Sequence, residues 1–392
     1  MSKKIVIVSA KRTPIGSFLG SLSTVTAPKL AAAAIKGTLD EINIPYHLIE
    51  EVYLGNVLQA GLGQAPAKQA AKYAGLKDDI PCTTINKVCA SGMKAITMGA
   101  QAIKANDREI VLVGGMENMS LVPHYSTLRT GTKLGNQTLH DGILQDGLTN
   151  VYDQNHMGVC GDNCAKTHHI SREEQDTFAI QSYQKSINAN QEGKFRNEIS
   201  PVSYHDKRGN EIIINEDEEF LNFKPEKFPL LKPVFSKEGT VTAANASTLN
   251  DGAAVLLIMS EEKAKVLNLK PLAEIIAYED ASTSPELFTT APAKAIPAVL
   301  KKANLQLTDI DYFELNEAFS VVGIANANLL KIPMHKINKN GGAVSLGHPL
   351  GCSGARIVVS LINVLKQQQA GYGLAAICNG GGGATAIIIK NI

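Results

Sequence analysis

Cys89 stands in the segment Asn86-Lys87-Val88-Cys89-Ala90-Ser91-Gly92-Met93-Lys94, where a loop enters a predicted helix. Unpaired backbone N–H groups and the helix dipole at such a start favour a thiolate. The small residues after it let a substrate approach. Burial as an inert packing residue is the commoner fate of a cysteine, so position alone does not make it a nucleophile.

Three further segments carry residues suited to chemistry. His348 lies in Asn340-Gly341-Gly342-Ala343-Val344-Ser345-Leu346-Gly347-His348-Pro349-Leu350-Gly351, a loop too irregular for core packing to explain. A neutral imidazole there can take a proton from a thiol or donate a hydrogen bond to an oxyanion. Cys378 opens Cys378-Asn379-Gly380-Gly381-Gly382-Gly383. Such a glycine run lets backbone N–H groups point at a developing negative oxygen. A plain tight turn would need fewer glycines and no cysteine. A second thiol with a lowered pKa can serve as a base. Thiol hydrolases need no second thiol, whereas carbon–carbon bond formation beside a thioester needs a base for the α-proton. Asn316, in Asn316-Glu317-Ala318-Phe319, could hold a water or a carbonyl, although asparagine at a strand end is ordinarily a turn or cap residue.

The elements that must position these residues alternate. Ile5–Ser9, Glu51–Leu54 and Ile110–Val113 are β-branched and apolar, and helical stretches such as Lys29–Leu39 lie between them. The pattern predicts α/β layers with largely parallel strands. The two ends of the chain also look alike. Ile85-Asn86-Lys87 precedes Cys89-Ala90-Ser91-Gly92, a helix, and a strand ending in Gly114-Gly115. Ile337-Asn338-Lys339 precedes Cys352-Ser353-Gly354, a helix, and a strand ending in the glycine run. The helices carry apolar faces at 3–4 spacing, Met93, Ile96, Ala100 and Ile103 in one and Val358, Leu361, Ile362 and Leu365 in the other. Two copies of one α/β unit, packed as a pseudo-symmetric pair, are expected.

Residues 119–249 differ. They are rich in Asn, His, charge and turn residues, and are broken by Pro201, Pro225, Pro229 and Pro233. They read as an insertion from the first unit that holds ligand, with a helix over Ser171–Asn190 started by a capping box of Ser171 and Glu174. The expected division is 1–118 with 250–270, the insertion 119–249, and 271–392.

Composition narrows the function. The 392 residues are 44% hydrophobic and 19% charged, as in a packed globule. Lys plus Arg total 38 and Asp plus Glu 37, and a net charge of +1 supplies no field for nucleic acid. The six cysteines are scattered, which fits reduced thiols better than a disulfide framework. Cys160 and Cys164 with His156 make only a weak zinc pattern, since no second ligand pair follows. There is no apolar run of about 18 residues and therefore no predicted membrane span. Met1-Ser2-Lys3-Lys4 runs straight into Ile5-Val6-Ile7-Val8, which leaves no room for a leader in this chain and predicts a cytoplasmic protein. A mitochondrial home would require a transit peptide already removed.

At these segments the chain closely resembles the thiolase family, in particular its acetyl-CoA acetyltransferases. The likeness starts at Ile5-Val6-Ile7-Val8-Ser9-Ala10-Lys11-Arg12-Thr13-Pro14 and runs to the final strand. Gly114-Gly115-Met116-Glu117-Asn118-Met119-Ser120 and Asn245-Ala246-Ser247-Thr248-Leu249-Asn250-Asp251-Gly252 add two more blocks. The resemblance implies an α/β thiolase fold, five-layered α-β-α-β-α, with the insertion holding CoA. It implies Cys89 as the acylated nucleophile, His348 as its activator and Cys378 as the base for the second acetyl-CoA. Asn316 would hold a water that shares one oxyanion hole with His348. The N–H groups of Cys89 and Gly380 would form the other. Leu148, His156, Met157, Tyr183, Lys227, Phe235, Ser247, Ala318 and Phe319 match CoA-binding positions. Tyr183, Ala243, Ala244, Ala246 and Val344 match the potassium-binding branch, and K+ rests wholly on that likeness. No prosthetic group is implied, and a homotetramer or a dimer is.

Departures from the family pattern limit these implications. Asn222-Phe223-Lys224 replaces an Arg-Val-Asp stretch near the adenine. Phe288-Thr289 replaces a Phe-Pro pair linked with 2-methyl-branched substrates. Cys160-Gly161-Asp162-Asn163 replaces Thr-Ala-Glu-Asn, and Ala90 stands where many members have Gly. The rival readings are a longer-chain 3-ketoacyl-CoA thiolase, a ketoacyl synthase and an inactive acyl-CoA-binding protein. A ketoacyl synthase would use two histidines. An inactive binder would be expected to have lost one of Cys89, His348 and Cys378.

Overall fold

The computed structural model describes residues 3–392; Met1 and Ser2, the start of the leader reading, lie outside it. The apolar runs read as strands are strands, over Ile5–Arg12, Glu51–Gly55 and Ile110–Asn118. The Lys29–Leu39 stretch lies within the helix Ala27–Asp40.

The strands form one long path in a 10-stranded sheet. One half runs Cys82–Ile85, Glu51–Gly55, Ile110–Asn118, Asn250–Ser260, Ile5–Arg12. The other runs Tyr312–Leu315, Tyr372–Asn379, Gly383–Asn391, Ala273–Ser282. The halves repeat one another, parallel pairing at the outer end giving way to antiparallel pairing further in. Even the Ile-Asn-Lys repeat has matching places: Ile85 pairs in parallel with Gly55, and Ile337 bridges in parallel to Phe313. The halves meet where Ile5–Ile7 pairs with Ala273–Ile275.

The expectation of largely parallel strands does not hold. Among the described strands, parallel ladders join only Glu51–Gly55 with its two neighbours and Tyr312–Leu315 with Tyr372–Asn379. The reason is how the chain returns. Asn250–Ser260 comes back after a long excursion and inserts antiparallel to both Ile110–Asn118 and Ile5–Arg12. Tyr372–Asn379 returns at once through the glycine turn as a hairpin.

Helices complete five layers. The helices Ala27–Asp40 and Pro66–Ala74 cover the first half from outside. Pro292–Ala303 and Ser320–Leu330 flank the second. Between the halves lie Ser91–Lys104 and Leu350–Gln367, and both apolar faces read from the sequence enter one shared core with strand residues of each half. These two helices approach through glycine. A Cβ on Gly92 would stand 2.8 Å from the carbonyl of Gly351, one on Gly354 would stand 2.5 Å from the amide of Met93, and one on Gly115 would overlap the Gly351 carbonyl. Backbone cannot yield as a side chain can. Gly115→Ala is therefore expected to destabilise the protein by about 3 kcal/mol, the upper end for overpacking, measured as the shift in urea midpoint. An unchanged midpoint would show that the crossing is looser than these contacts require.

Residues 119–249 contain the helices Met157–Thr167 and Arg172–Gln191. Ser171 and Glu174 form the expected capping box, with Oγ accepting from the Glu174 amide at 3.1 Å and the Ser171 amide donating back at 2.6 Å. A buried arginine anchors the segment. Arg12 donates to Asp217 at 2.6 and 2.8 Å and to Glu198 at 2.7 Å. Among the described residues no helix is long and apolar enough to cross a membrane.

Candidate active site

Cys89 sits on a forced turn between the strand Cys82–Ile85 and the helix Ser91–Lys104. Val88 has φ +48°, a genuine outlier for a β-branched residue. Ser91 braces the turn, accepting from the Lys87 amide at 2.8 Å and donating to the Val88 carbonyl at 2.5 Å. Lys87 and Lys94 both bond Asp280 of the second half, which fixes the turn across the interface.

The sequence suggested a thiolate at this helix start. Burial overrules it and pushes the Cys89 thiol up to about 11, although the N–H groups of Gly380 and of Cys89 itself point at the sulfur and act the other way. The helix-end donors are visible in a sequence and the depth of burial is not. Alkylation of Cys89 by iodoacetamide should therefore rise about tenfold per pH unit between pH 7 and 9, followed on the Cys89 peptide. A plateau below pH 8 would mean that a thiolate is already present at rest.

His348 follows Gly347, whose φ is +101°, and its amide donates to Asn250 Oδ1 at 2.9 Å. Its Nδ1 lies 2.6 Å from Ser353 Oγ. Ser353 donates its own proton to the Pro349 carbonyl at 2.9 Å, so it accepts from His348 Nδ1–H. That assigns the tautomer: Nε2 carries the lone pair, and it is buried with no protein partner. Burial, reinforced by the charge of Arg356, holds the imidazole neutral with a pKa lowered to about 3.

Cys378 is the last residue but one of the strand Tyr372–Asn379. The sequence allowed it as a base if its pKa were lowered; in the fold, burial first, then the nearby Cys89, push its thiol up instead. The glycine run that follows does join two strands in a hairpin. Gly381 and Gly382 take φ +84° and +87°, and the Gly380 amide is left aimed at Cys89. Asn316 follows the strand Tyr312–Leu315, and both polar atoms of its side chain are buried and free of protein partners.

A cavity of about 540 Å³ opens onto this centre. Cys89, His348 and Gly380 line it, as do Leu148, His156, Met157, Phe235, Ser247, Ala318 and Phe319. His156 and Phe235 stack with centroids 4.4 Å apart, and Phe319 meets Phe235 edge-on at 6.1 Å. Cys378 and Asn316 are buried and not on this wall. Two expected CoA residues are not on the cavity wall. Lys227 is exposed on the turn Pro225–Leu230, and Tyr183 packs flat on Phe223 at 4.9 Å. Of the residues matched to potassium, Ala243 and Ala246 reach the cavity, while Tyr183, Ala244 and Val344 share another buried cluster. Cys160 and Cys164 pack in the apolar cluster around Phe319. Sequence reasoning missed Phe18, Ile143, Leu144 and Val234 on the wall. Val234 adjoins Phe235 and was within reach; the others sit in irregular segments that give no signal.

A thiol with amides aimed at it and a bare imidazole nitrogen on the wall of one apolar cavity, with a second buried thiol nearby, are groups suited to acyl transfer. Residues 5–262 match the thiolase N-terminal domain and residues 269–391 the thiolase C-terminal domain. The chain is 54% identical over 390 residues to the mitochondrial acetyl-CoA acetyltransferase of Bos taurus, covering 99% of this chain and 92% of that one. It is 52% identical over 396 residues to an acetyl-CoA acetyltransferase of Candida albicans, covering 100% and 98%. Among solved structures, a Bacillus anthracis acetyl-CoA acetyltransferase superposes with TM-score 0.97 at 38% identity, covering 100% of this chain and 99% of that one. A thiolase from Ascaris suum in complex with coenzyme A superposes with TM-score 0.95 at 43% identity, covering all of both chains. The chain belongs to the thiolase family and is an acyltransferase.

Proposed function

We propose that the protein is an acetyl-CoA C-acetyltransferase, which condenses two acetyl-CoA to acetoacetyl-CoA and CoA, or cleaves in reverse, through an acetyl thioester on Cys89. One observation carries the reading: the bare Nε2 of His348 and the N–H groups aimed at Cys89 meet at the end of a cavity large enough for a thioester arm.

Both thiols are protonated at rest, which shapes the proton path. Cys89 gives its proton to His348 and attacks the thioester carbonyl, while the N–H groups of Cys89 and Gly380 hold the oxygen. Cys378 gives its proton to the departing CoA sulfur. The site is then an acyl-enzyme with an imidazolium and a thiolate. The Cys378 thiolate takes the α-proton of the second acetyl-CoA, and the water on Asn316, with His348, receives the enolate oxygen. The carbanion attacks the acyl group, Cys89 leaves, and His348 returns its proton. Every group ends as it began, which a ping-pong cycle requires.

The reading assigns CoA to the insertion 119–249, between core units 1–118 with 250–270 and 271–392. K+ would be held by Tyr183 and the carbonyls of Ala243, Ala244, Ala246 and Val344. Burial keeps the Tyr183 phenol protonated, and uncharged oxygen donors suit a monovalent cation. A homotetramer, a role in lipid metabolism and a cytoplasmic location complete the proposal, with mitochondria as the alternative compartment in view of the Bos taurus relative.

The test is acyl-enzyme trapping. The protein is mixed with acetyl-CoA, quenched in acid and mapped by peptide mass, then challenged with longer and 2-methyl-branched acyl-CoAs. An acetyl adduct on Cys89 supports the reading. Phe288, with Thr289 after it, closes part of the wall, so branched thioesters should load poorly. Faster loading by long chains would favour the degradative thiolase. No adduct from any acyl-CoA would favour a binding protein.

A further inference from the structure

Glu117 is buried at the end of the Ile110–Asn118 strand and accepts four hydrogen bonds. Oε1 takes Asn56 Nδ2 at 2.6 Å and the Leu58 amide at 3.2 Å. Oε2 takes the Val57 amide at 3.0 Å and the Gly351 amide at 2.9 Å. Three of the donors belong to the loop after Glu51–Gly55, in the half that carries Cys89. The fourth is in the first turn of the Leu350–Gln367 helix, three residues after His348. One carboxylate thus ties the nucleophile's half to the base's helix.

We propose that Glu117 is a positioning residue that holds His348 opposite Cys89, and that losing its charge slackens this grip. The inference rests on the acyl-transfer reading of Cys89 and His348. Its physical basis is donor matching. An ionised carboxylate accepts all four bonds. A neutral carboxyl adds an O–H beside three backbone amides that can only donate; Asn56, whose Oδ1 is buried without a partner, is the one group that could turn to accept it, and doing so gives up its own donation to Glu117. A charged acceptor at a helix start also opposes the helix dipole favourably.

The surroundings leave this titration distinguishable. Burial pushes the Glu117 carboxyl up to about 7 against those four bonds. The titratable groups its field reaches are Cys89, before the Ser91–Lys104 helix, and Cys352 on the Leu350–Gln367 helix. Loop residues 56–58 bring none, and the neighbouring strand places Gly252 opposite Glu117. Asp251 beside that glycine bonds Ser120. Cys89 at about 11 and His348 at about 3 lie outside the neutral window. Glu314, raised by burial to about 8, faces Arg356 and shares no bond with Asn56. The field of Glu117 on Cys89 works against thiolate formation, opposite in direction to positioning, so a rate that rises as Glu117 ionises reports positioning.

The experiment is single-turnover acetylation of Cys89 by acetyl-CoA from pH 6 to 9. Wild type should speed up as pH rises through about 7, where Glu117 ionises. Glu117→Gln puts an NH₂ among donors. The rate at pH 8 should fall about 100-fold, the size expected of a reacting group misplaced by about 1 Å, and the inflection should vanish. Half-saturation by acetyl-CoA should barely move. Asn56→Ala removes one donor of four and leaves the three backbone amides in place. Because that bond lowers the Glu117 pKa, the inflection should move to higher pH. An inflection that stays in place in both variants would overturn the assignment. A wild type that forms no Cys89 adduct at any pH would instead overturn the acyl-transfer reading, and this inference with it.

Discussion

Replacing Cys378 by Ala is expected to leave acetylation of Cys89 nearly intact and to slow condensation by about 10³-fold, within the range for removal of a general base. The two effects separate because the two steps use different thiols. Acylation needs a nucleophile, a base and N–H donors, which are Cys89, His348 and Gly380 in this site. Without Cys378, His348 can return its proton to the CoA sulfur, so the first step still closes. The second step cannot, since no group remains to take the α-proton. The measurement is paired: adduct mass on Cys89 after one turnover, and acetoacetyl-CoA formed over many. Hydrogen–deuterium exchange at the acetyl methyl should also disappear. Normal condensation by the variant would remove Cys378 from the mechanism.

His348→Ala should be the reverse case, with acylation itself slowed by about 10³-fold at pH 7. The argument follows from the resting charges. A thiol held at about 11 has almost no thiolate at neutral pH, so the attack depends on a base that accepts its proton during the step. Nε2 of His348 is that acceptor because Ser353 fixes the proton on Nδ1. Without the imidazole the reaction relies on solvent to ionise Cys89. The deficit should therefore shrink as pH rises toward 9, read as the burst of CoA release. A deficit constant from pH 7 to 9 would mean that His348 only donates to the oxyanion.

The chemistry was more legible in the sequence than the architecture. Cys89, His348 and Cys378 stand in irregular, glycine-rich segments, and periodicity alone placed the two central helices in a core. Pairing direction was not legible. A β-branched run marks a strand such as Asn250–Ser260, but where the chain has been before it returns decides whether it lies parallel or antiparallel. Protonation state was equally hidden. The N–H donors around Cys89 follow from local sequence, while the burial that outweighs them comes from packing of both halves. Lys227 and Tyr183, matched to CoA by position, lie off the cavity wall, so their part rests on the family resemblance alone.

The seam at Ile5–Ile7 and Ala273–Ile275 joins the half that carries Cys89 to the half that carries His348 and Cys378, the proposed nucleophile and the proposed proton carriers. On the proposed roles, neither half would be a catalyst alone. Because one chain supplies both, their encounter is intramolecular, and the effective concentration of one for the other is set by covalent connection. Dilution within the cell cannot take this pairing of halves apart. A single disturbance at the seam, by contrast, degrades acylation and condensation together.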